Sequence, residues 1–131
     1  MNIEQDGERR RMTIQECYMA LGGNYQEVAK RLPSESLVKR FIAKFPDDKS
    51  FAELSQAMAE GDRASAFRAA HTLKGVSANL SLDQLLRSVV VLTELLRQEA
   101  PVIPPEAYQA FEEVKQDYDV TIRAIHDFLN A

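Results

Sequence analysis

Apolar side chains recur at intervals of three and four residues through most of this chain, and the runs end near a proline or a glycine. That spacing places them on one face of an α-helix, because each residue turns the helix by roughly 100°. The clearest run comprises Tyr108, Phe111, Val114, Tyr118, Ile122, Ile125 and Leu129. Since we find no strand-like alternation of useful length and no internal repeat, the pattern predicts an all-α protein.

Residues that cap or break helices divide the chain into seven predicted helices. Thr13, Asn24, Ser34 and Asp62 are the expected N-caps of four of them. Helices are predicted at 13–21, 24–32, 34–45, 62–80, 82–98 and 106–129, and one more begins at Asp47 or Asp48 and ends at Gly61. Long amphipathic helices with short connections predict an antiparallel four-helix bundle, with the short N-terminal helices beside or across it. We expect one domain, at 13–131, after a flexible tail at 1–12.

Composition narrows the classes of function. The net charge of −4 argues against nucleic acid as a partner, because phosphate backbones favour basic surfaces. No apolar run approaches the ~20 residues that span a bilayer, and 1–12 lacks the apolar core of a signal peptide. Cys17 is the single cysteine, so no internal disulfide can form, and we interpret it as a small apolar residue of the first helix. We therefore expect a cytoplasmic protein.

The segment 62–80 carries the most informative pattern. With Leu73 at the centre of its buried side, six small or apolar residues fall within about 60° of it. They are Ala66, Ala69, Ala70, Val76, Ser77 and Leu80. His71 lies about 160° from Leu73 and is therefore expected on the opposite, outward side.

The neighbours of His71 on that side are unusual for an exposed surface. Phe67 precedes it by one turn, Gly75 follows it by one turn and Lys74 is three residues on, while Ala64 and Ala78 extend the same face. Exposed apolar area around a polar group indicates a docking surface. A neutral imidazole can act as a nucleophile. Lys74 could offset the charge of a bound phosphoryl group, and Gly75 would let another backbone approach closely.

The stretch AAHTLKGVSANL resembles the signature of histidine-containing phosphotransfer (HPt) domains, whose core pattern is His-x-x-Lys-Gly. Three flanking stretches, LVKRFIAKF, FAELSQAMAEGD and LDQLLRSVVVLTELLRQ, resemble the helices around it in that family. The likeness covers about 34–99. Two positions depart from the family pattern, Ser81 where glycine is frequent and Thr93-Glu94 where a Leu-Glu pair is frequent. Both departures concern the packing of helices rather than the phosphoacceptor.

The resemblance implies a phosphocarrier, not an enzyme with its own nucleotide site. His71 would accept a phosphoryl group, Lys74 would steady it and Gly75 would keep the approach open. Response-regulator receiver domains, and sometimes a histidine kinase, would be the partners, and the receiver would supply Mg²⁺ while this chain binds no cofactor. The helical wheel adds Ala64, Phe67, Arg68 and Ala78 as the docking face of a monomer. The alternative is a docking module that binds a receiver or kinase without accepting phosphate.

Other candidate residues have simpler interpretations. His126, the second histidine, is interpreted as a surface or helix-end residue, because two histidines and one cysteine poorly support a zinc site. No Glu-x-x-His occurs, so the acidic residues of the last helix predict a solvated face rather than a di-iron site. Gly22-Gly23-Asn24 is a helix break. The basic run 9–11 is expected to be a solvated tail. We expect no metal.

Overall fold

The computed structural model describes residues 11–97, 99 and 101–130. The described chain is helical, with no strand in those residues, as the periodicity predicts. Seven α-helices and one 3₁₀ turn follow in order: α1 Ile14–Leu21, α2 Tyr25–Arg31, α3 Glu35–Lys44, the 3₁₀ turn Phe45–Asp47, α4 Ser50–Glu60, α5 Arg63–Asn79, α6 Asp83–Leu96 and α7 Pro105–Leu129. Residues 1–10 of the proposed tail at 1–12, which include the arginines at 9 and 10, lie outside the described residues.

Helices α4 to α7 form the antiparallel four-helix bundle that the sequence predicts. Each packs against the next along the chain, and α1 packs on the outer side of α7. Aromatic rings close the bundle between α4 and α7, where Phe51 stacks on Tyr118 with ring centroids 3.9 Å apart and on Phe111 at 6.2 Å. Consecutive helices joined by short connections run antiparallel, and α5 lies between α4 and α6 because it packs against both.

The first helix completes the core from outside the bundle. Its apolar face is fully buried at Ile14, Cys17 and Leu21. The Cys17 thiol lies 3.6 Å from the carbonyl oxygen of Ala124 in α7, and burial raises its pKa to about 11. A thiol that remains protonated is a poor nucleophile, so Cys17 is a packing residue, as interpreted above.

Several helix boundaries follow the predicted caps. Side-chain oxygens of Thr13, Asn24, Ser34 and Asp62 accept a backbone N–H three residues on, and these four residues are the N-caps of α1, α2, α3 and α5. This satisfies donors that a helix start leaves unpaired. Gly61 ends α4 with a φ of 71°, in the left-handed region that suits glycine.

Other predicted boundaries were wrong by a few residues. The third helix ends at Lys44, and the backbone continues as a 3₁₀ turn through Pro46. Residue 49, not Asp47 or Asp48, is the N-cap of α4, although the Asp48 carboxylate accepts the backbone N–H of Ser50 at 2.9 Å. The last helix begins one residue early, because proline suits the first turn, where no N–H partner is needed. Helix α6 ends at 96 rather than 98.

Candidate functional site

Helix α5 has one buried and one exposed side, and its start is firmly fixed. Asp62 accepts the backbone N–H of Ser65 at 3.1 Å and the Ser65 hydroxyl at 2.7 Å. These hydrogen bonds favour the carboxylate and lower the pKa of Asp62. The buried stripe comprises Ala66, Ala69, Ala70, Leu73 and Ser77. Because this stripe packs into the bundle, the rotation of α5 about its axis is set.

The opposite side of α5 is open, and we call it the outward face. Its members are Ala64, Phe67, Arg68, His71, Lys74, Gly75 and Ala78. His71, Gly75, Ala64, Arg68 and Ala78 are exposed, while Phe67 and Lys74 are half-buried. All seven residues singled out from the sequence therefore lie on one surface of one helix.

Gly75 leaves free space one turn from His71. A Cβ built on Gly75 would have no neighbouring atom within 4 Å outside its own helix backbone. Its backbone is ordinary right-handed helix, so neither conformation nor packing within the chain requires glycine here. A glycine in a helix interior costs roughly 0.5–1 kcal/mol relative to alanine. The residue is thus unfavourable for the isolated fold, and it leaves an open surface beside His71.

An aromatic ring borders His71, and a cation at the end of α6 lies over that ring. The Phe67 and His71 ring centroids are 6.0 Å apart, with planes inclined by 28°. The Arg97 guanidinium carbon lies 5.1 Å from the centroid of the Phe67 ring, within the range of a cation–π contact. The phenyl ring of Phe67 is therefore a neighbour of both the imidazole and the guanidinium.

Glu94, in the last turn of α6, joins this arrangement, and Arg97 directly follows the end of that helix. Its carboxylate oxygen lies 3.0 Å from a guanidinium nitrogen of Arg97. The hydrogen bonds and charge of Arg97 lower the pKa of Glu94, and the positive charge of Lys74 adds to the effect. We refer to Glu94 and Arg97 as the α6 pair.

The sequence placed the α6 pair on a helix but did not assign it to the site. Its only local signal is an acid three residues before an arginine, which is common on solvated helices. Arg63, at the start of α5, donates to the carbonyl oxygen of Leu96 at 2.7 Å. That bond joins the end of α6 to the beginning of α5 and thereby holds Arg97 beside Phe67. Such a contact between helices cannot be read from helical spacing.

Other chemistry has little support in the described part of the chain. No group of three His, Cys, Asp or Glu residues there could hold a metal ion. His126 is exposed near the end of α7, consistent with a surface histidine. No helix among the described residues is long and apolar enough to cross a membrane.

A helical bundle with an exposed histidine and glycine and a half-buried lysine on one helix face is typical of proteins that carry a phosphoryl group. The family model described as Hpt domain matches residues 36–126, from α3 to near the end of α7. The chain therefore belongs to the Hpt domain family, whose members are phosphotransfer modules of two-component systems and interact with response-regulator or kinase domains. Hpt domains are phosphocarriers without a catalytic site of their own. Neither the curated proteins nor the solved structures gave a match.

Proposed function

We propose that this chain is a histidine phosphotransfer protein of a phosphorelay, with His71 as the phosphoacceptor. It takes the phosphoryl group from a phosphoaspartate receiver domain or a kinase and passes it to another receiver. The observation that carries the proposal is the outward face itself, where an exposed imidazole stands beside Lys74 and an unfilled surface at Gly75.

The proposed step is an in-line displacement at phosphorus. The lone pair of the unprotonated ring nitrogen of His71 forms the N–P bond, while the acyl P–O bond of the receiver's phosphoaspartate breaks. The electron pair of the broken bond leaves on the aspartate carboxylate. The proton on the other ring nitrogen stays on the ring or passes to water. Reversal of the same step donates the group to a second receiver.

Lys74 and Gly75 have distinct proposed roles around that step. Lys74 is one turn from His71 on the same face, so its ammonium can balance charge on the phosphoryl oxygens. Gly75 admits the loops of the receiver that surround its phosphoaspartate. We expect Lys74→Ala to slow transfer or shorten the lifetime of phosphohistidine, measured with the same receiver as for wild type.

The docking face would comprise the remaining members of the outward face, Ala64, Phe67, Arg68 and Ala78. Small side chains at its two ends and an aromatic beside His71 offer apolar contact area. The receiver would bring Mg²⁺ and most of the groups that stabilise the transferring phosphoryl, since such catalysis consists mainly of positioning and charge stabilisation. We propose that the chain acts as a monomer in the cytoplasm, where a single free thiol stays reduced.

A phosphotransfer assay tests the proposal. Several phosphorylated receivers are mixed with wild type, His71→Gln and the matched control His126→Gln in the presence of magnesium. We expect acid-labile, alkali-stable label on wild type and on the control, and none on His71→Gln, whose fold should be intact because His71 is exposed. Receivers that bind wild type but never transfer to it would instead support a docking module.

A further inference from the structure

The α6 pair lies beside Phe67, whose ring centroid is 6.0 Å from that of His71. We propose that Glu94 and Arg97 form a charge switch for that group. In the free protein Glu94 holds Arg97 over Phe67. When His71 carries a phosphoryl group, Arg97 turns from the carboxylate towards the phosphoryl oxygens. The inference rests on the proposed function of His71, and it adds Arg97 as a residue that binds the phosphoryl group and Glu94 as the competitor of that group for Arg97.

Distance permits this exchange. Arg97 is 5.1 Å from the Phe67 ring and that ring is 6.0 Å from the imidazole, so guanidinium and imidazole centres are at most about 11 Å apart. The phosphoryl group projects beyond the imidazole, and the half-exposed arginine side chain has several rotatable bonds. Even without movement, this separation is close to the screening length of ~8–10 Å at moderate salt. The charges therefore interact in either position.

The exchange has a favourable direction. A phosphoryl group carries up to two negative charges and three acceptor oxygens, whereas Glu94 offers one charge. Hydrogen bonds between arginine and phosphate are short, strong and often bidentate. The existing pair is solvent-exposed, with 50% of the Arg97 side chain and 59% of Glu94 accessible, and such pairs contribute little stability. Arg97 can leave Glu94 without harm to the fold.

Glu94 has a second effect, because both cations act on it. The positive charges of Arg97 and Lys74 both lower the pKa of Glu94. Its negative charge opposes that of the incoming group, so it should weaken retention of the phosphoryl group on His71. A phosphocarrier must pass its phosphoryl group on, and Glu94 would keep the two cations from binding that group too tightly.

The chain contains a matched control on α7. Glu112 and Lys115 are also three residues apart and 2.8 Å from each other, and the Lys115 ammonium lies 5.4 Å from the centroid of Phe111. Their side chains are 60% and 44% accessible, close to the values for the α6 pair. Phe111 stacks on Phe51 of α4 and not on a histidine. We call Glu112 and Lys115 the α7 pair.

The test reads the local electrostatics directly and needs no partner. His126→Gln protein is phosphorylated on His71 with phosphoramidate, and the protonation of the phosphoryl group is followed by its phosphorus NMR shift against pH. We expect Arg97→Gln to raise the pKa of the phosphoryl group and Glu94→Gln to lower it, each by about half a pH unit, a threefold change in proton affinity. Arg97→Lys should restore most of the effect, and high salt should shrink it.

Two outcomes would overturn the switch. One is that variants of the α6 pair shift the titration no more than Lys115→Gln and Glu112→Gln. The other is that Arg97→Gln and Glu94→Gln shift it in the same direction. Failure of the proposed function is a separate result, because it would appear as receivers that do not phosphorylate wild type, whatever the phosphoramidate-loaded protein shows.

Discussion

The α6 pair and the α7 pair are built from the same parts and border different surroundings. Each consists of a glutamate, a cation three residues later and a phenylalanine ring beneath that cation. Phe111 is 8% exposed and belongs to the aromatic stack between α4 and α7. Phe67 is half-exposed and stands beside an exposed imidazole. Only the second arrangement borders a candidate nucleophile.

This difference indicates that the same glutamate–cation pair can serve different purposes, depending on whether the ring beneath it belongs to the core or lies beside His71. The α7 pair lies at the edge of the core, where the Lys115 ammonium is close to the buried ring of Phe111. The α6 pair lies beside the ring of Phe67, which is part of the outward face of α5. Since the two pairs are similarly exposed, changes to the two rings beneath them should separate stability from phosphotransfer.

The largest effect is expected from Phe111→Ala, which removes the ring under the α7 pair. We predict a loss of about 3 kcal/mol or more in the free energy of unfolding, because the ring is buried and a cavity would remain. Urea denaturation measures this. The folded fraction should still accept phosphate at the wild-type rate, and a selective loss of transfer would remove the contrast between the two regions.

The next largest effect is expected at Gly75, on the phosphotransfer side of the comparison. Gly75→Leu should lower the transfer rate by at least about tenfold, because a branched side chain fills the approach to His71. Its free energy of unfolding should not fall, since no atom crowds the position and leucine favours a helix over glycine by roughly 0.5–1 kcal/mol. Stopped-flow transfer and urea denaturation are measured on the same sample. Gly75→Ala is the control, and unchanged transfer in Gly75→Leu would contradict the docking geometry.

A smaller effect is expected from Phe67→Ala. Because the ring is only half-buried, we predict a stability loss of about 1 kcal/mol, well below that of Phe111→Ala. The rate of phosphotransfer should fall about threefold to tenfold, because the substitution removes docking area and also the ring against which Arg97 packs. The quantity to measure is the loss of phosphotransfer rate relative to the loss of stability, compared between Phe67→Ala and Phe111→Ala. Equal ratios would mean that both rings serve only packing.

The smallest effect is expected from Lys115→Gln. An exposed ion pair contributes little, so the free energy of unfolding should change by no more than ~0.5 kcal/mol, and transfer should be unchanged. This variant sets the background for Arg97→Gln. A clear loss of transfer in Lys115→Gln would show that charge anywhere on the bundle matters, and the special position of the α6 pair would be lost.

Sequence periodicity predicts most of this fold because burial follows helical spacing. The stripe around Leu73 determines which side of α5 is packed, and the exposure of His71 follows from it. The boundary near Pro46 and the end of α6 at Leu96 were less predictable, since a 3₁₀ turn and the last turn of a helix depend on local hydrogen bonds. The left-handed conformation of Ser81, at a φ of 55°, was also not foreseen; Arg31 bonds to its hydroxyl and to the carbonyl oxygens of Ala78 and Asn79.

The candidate site also has a part that the sequence predicts and a part that it does not. Residues on α5 share one helix, so their spacing alone places them together. Glu94 and Arg97 come from another helix, and their position depends on how α6 packs and on the bond from Arg63 to Leu96. No sequence separation encodes that contact. The functional roles of all these residues remain predictions for the experiments above.

The most direct measurement locates the phosphoryl group in wild-type protein phosphorylated by a receiver. Correlation of phosphorus with ring protons by NMR identifies the histidine that bears it, and the chain has only two histidines. We predict a single phosphohistidine at His71, with His126 unmodified. A phosphoryl group found on His126, or on a carboxylate, would contradict the assignment of the outward face of α5 as the phosphotransfer site.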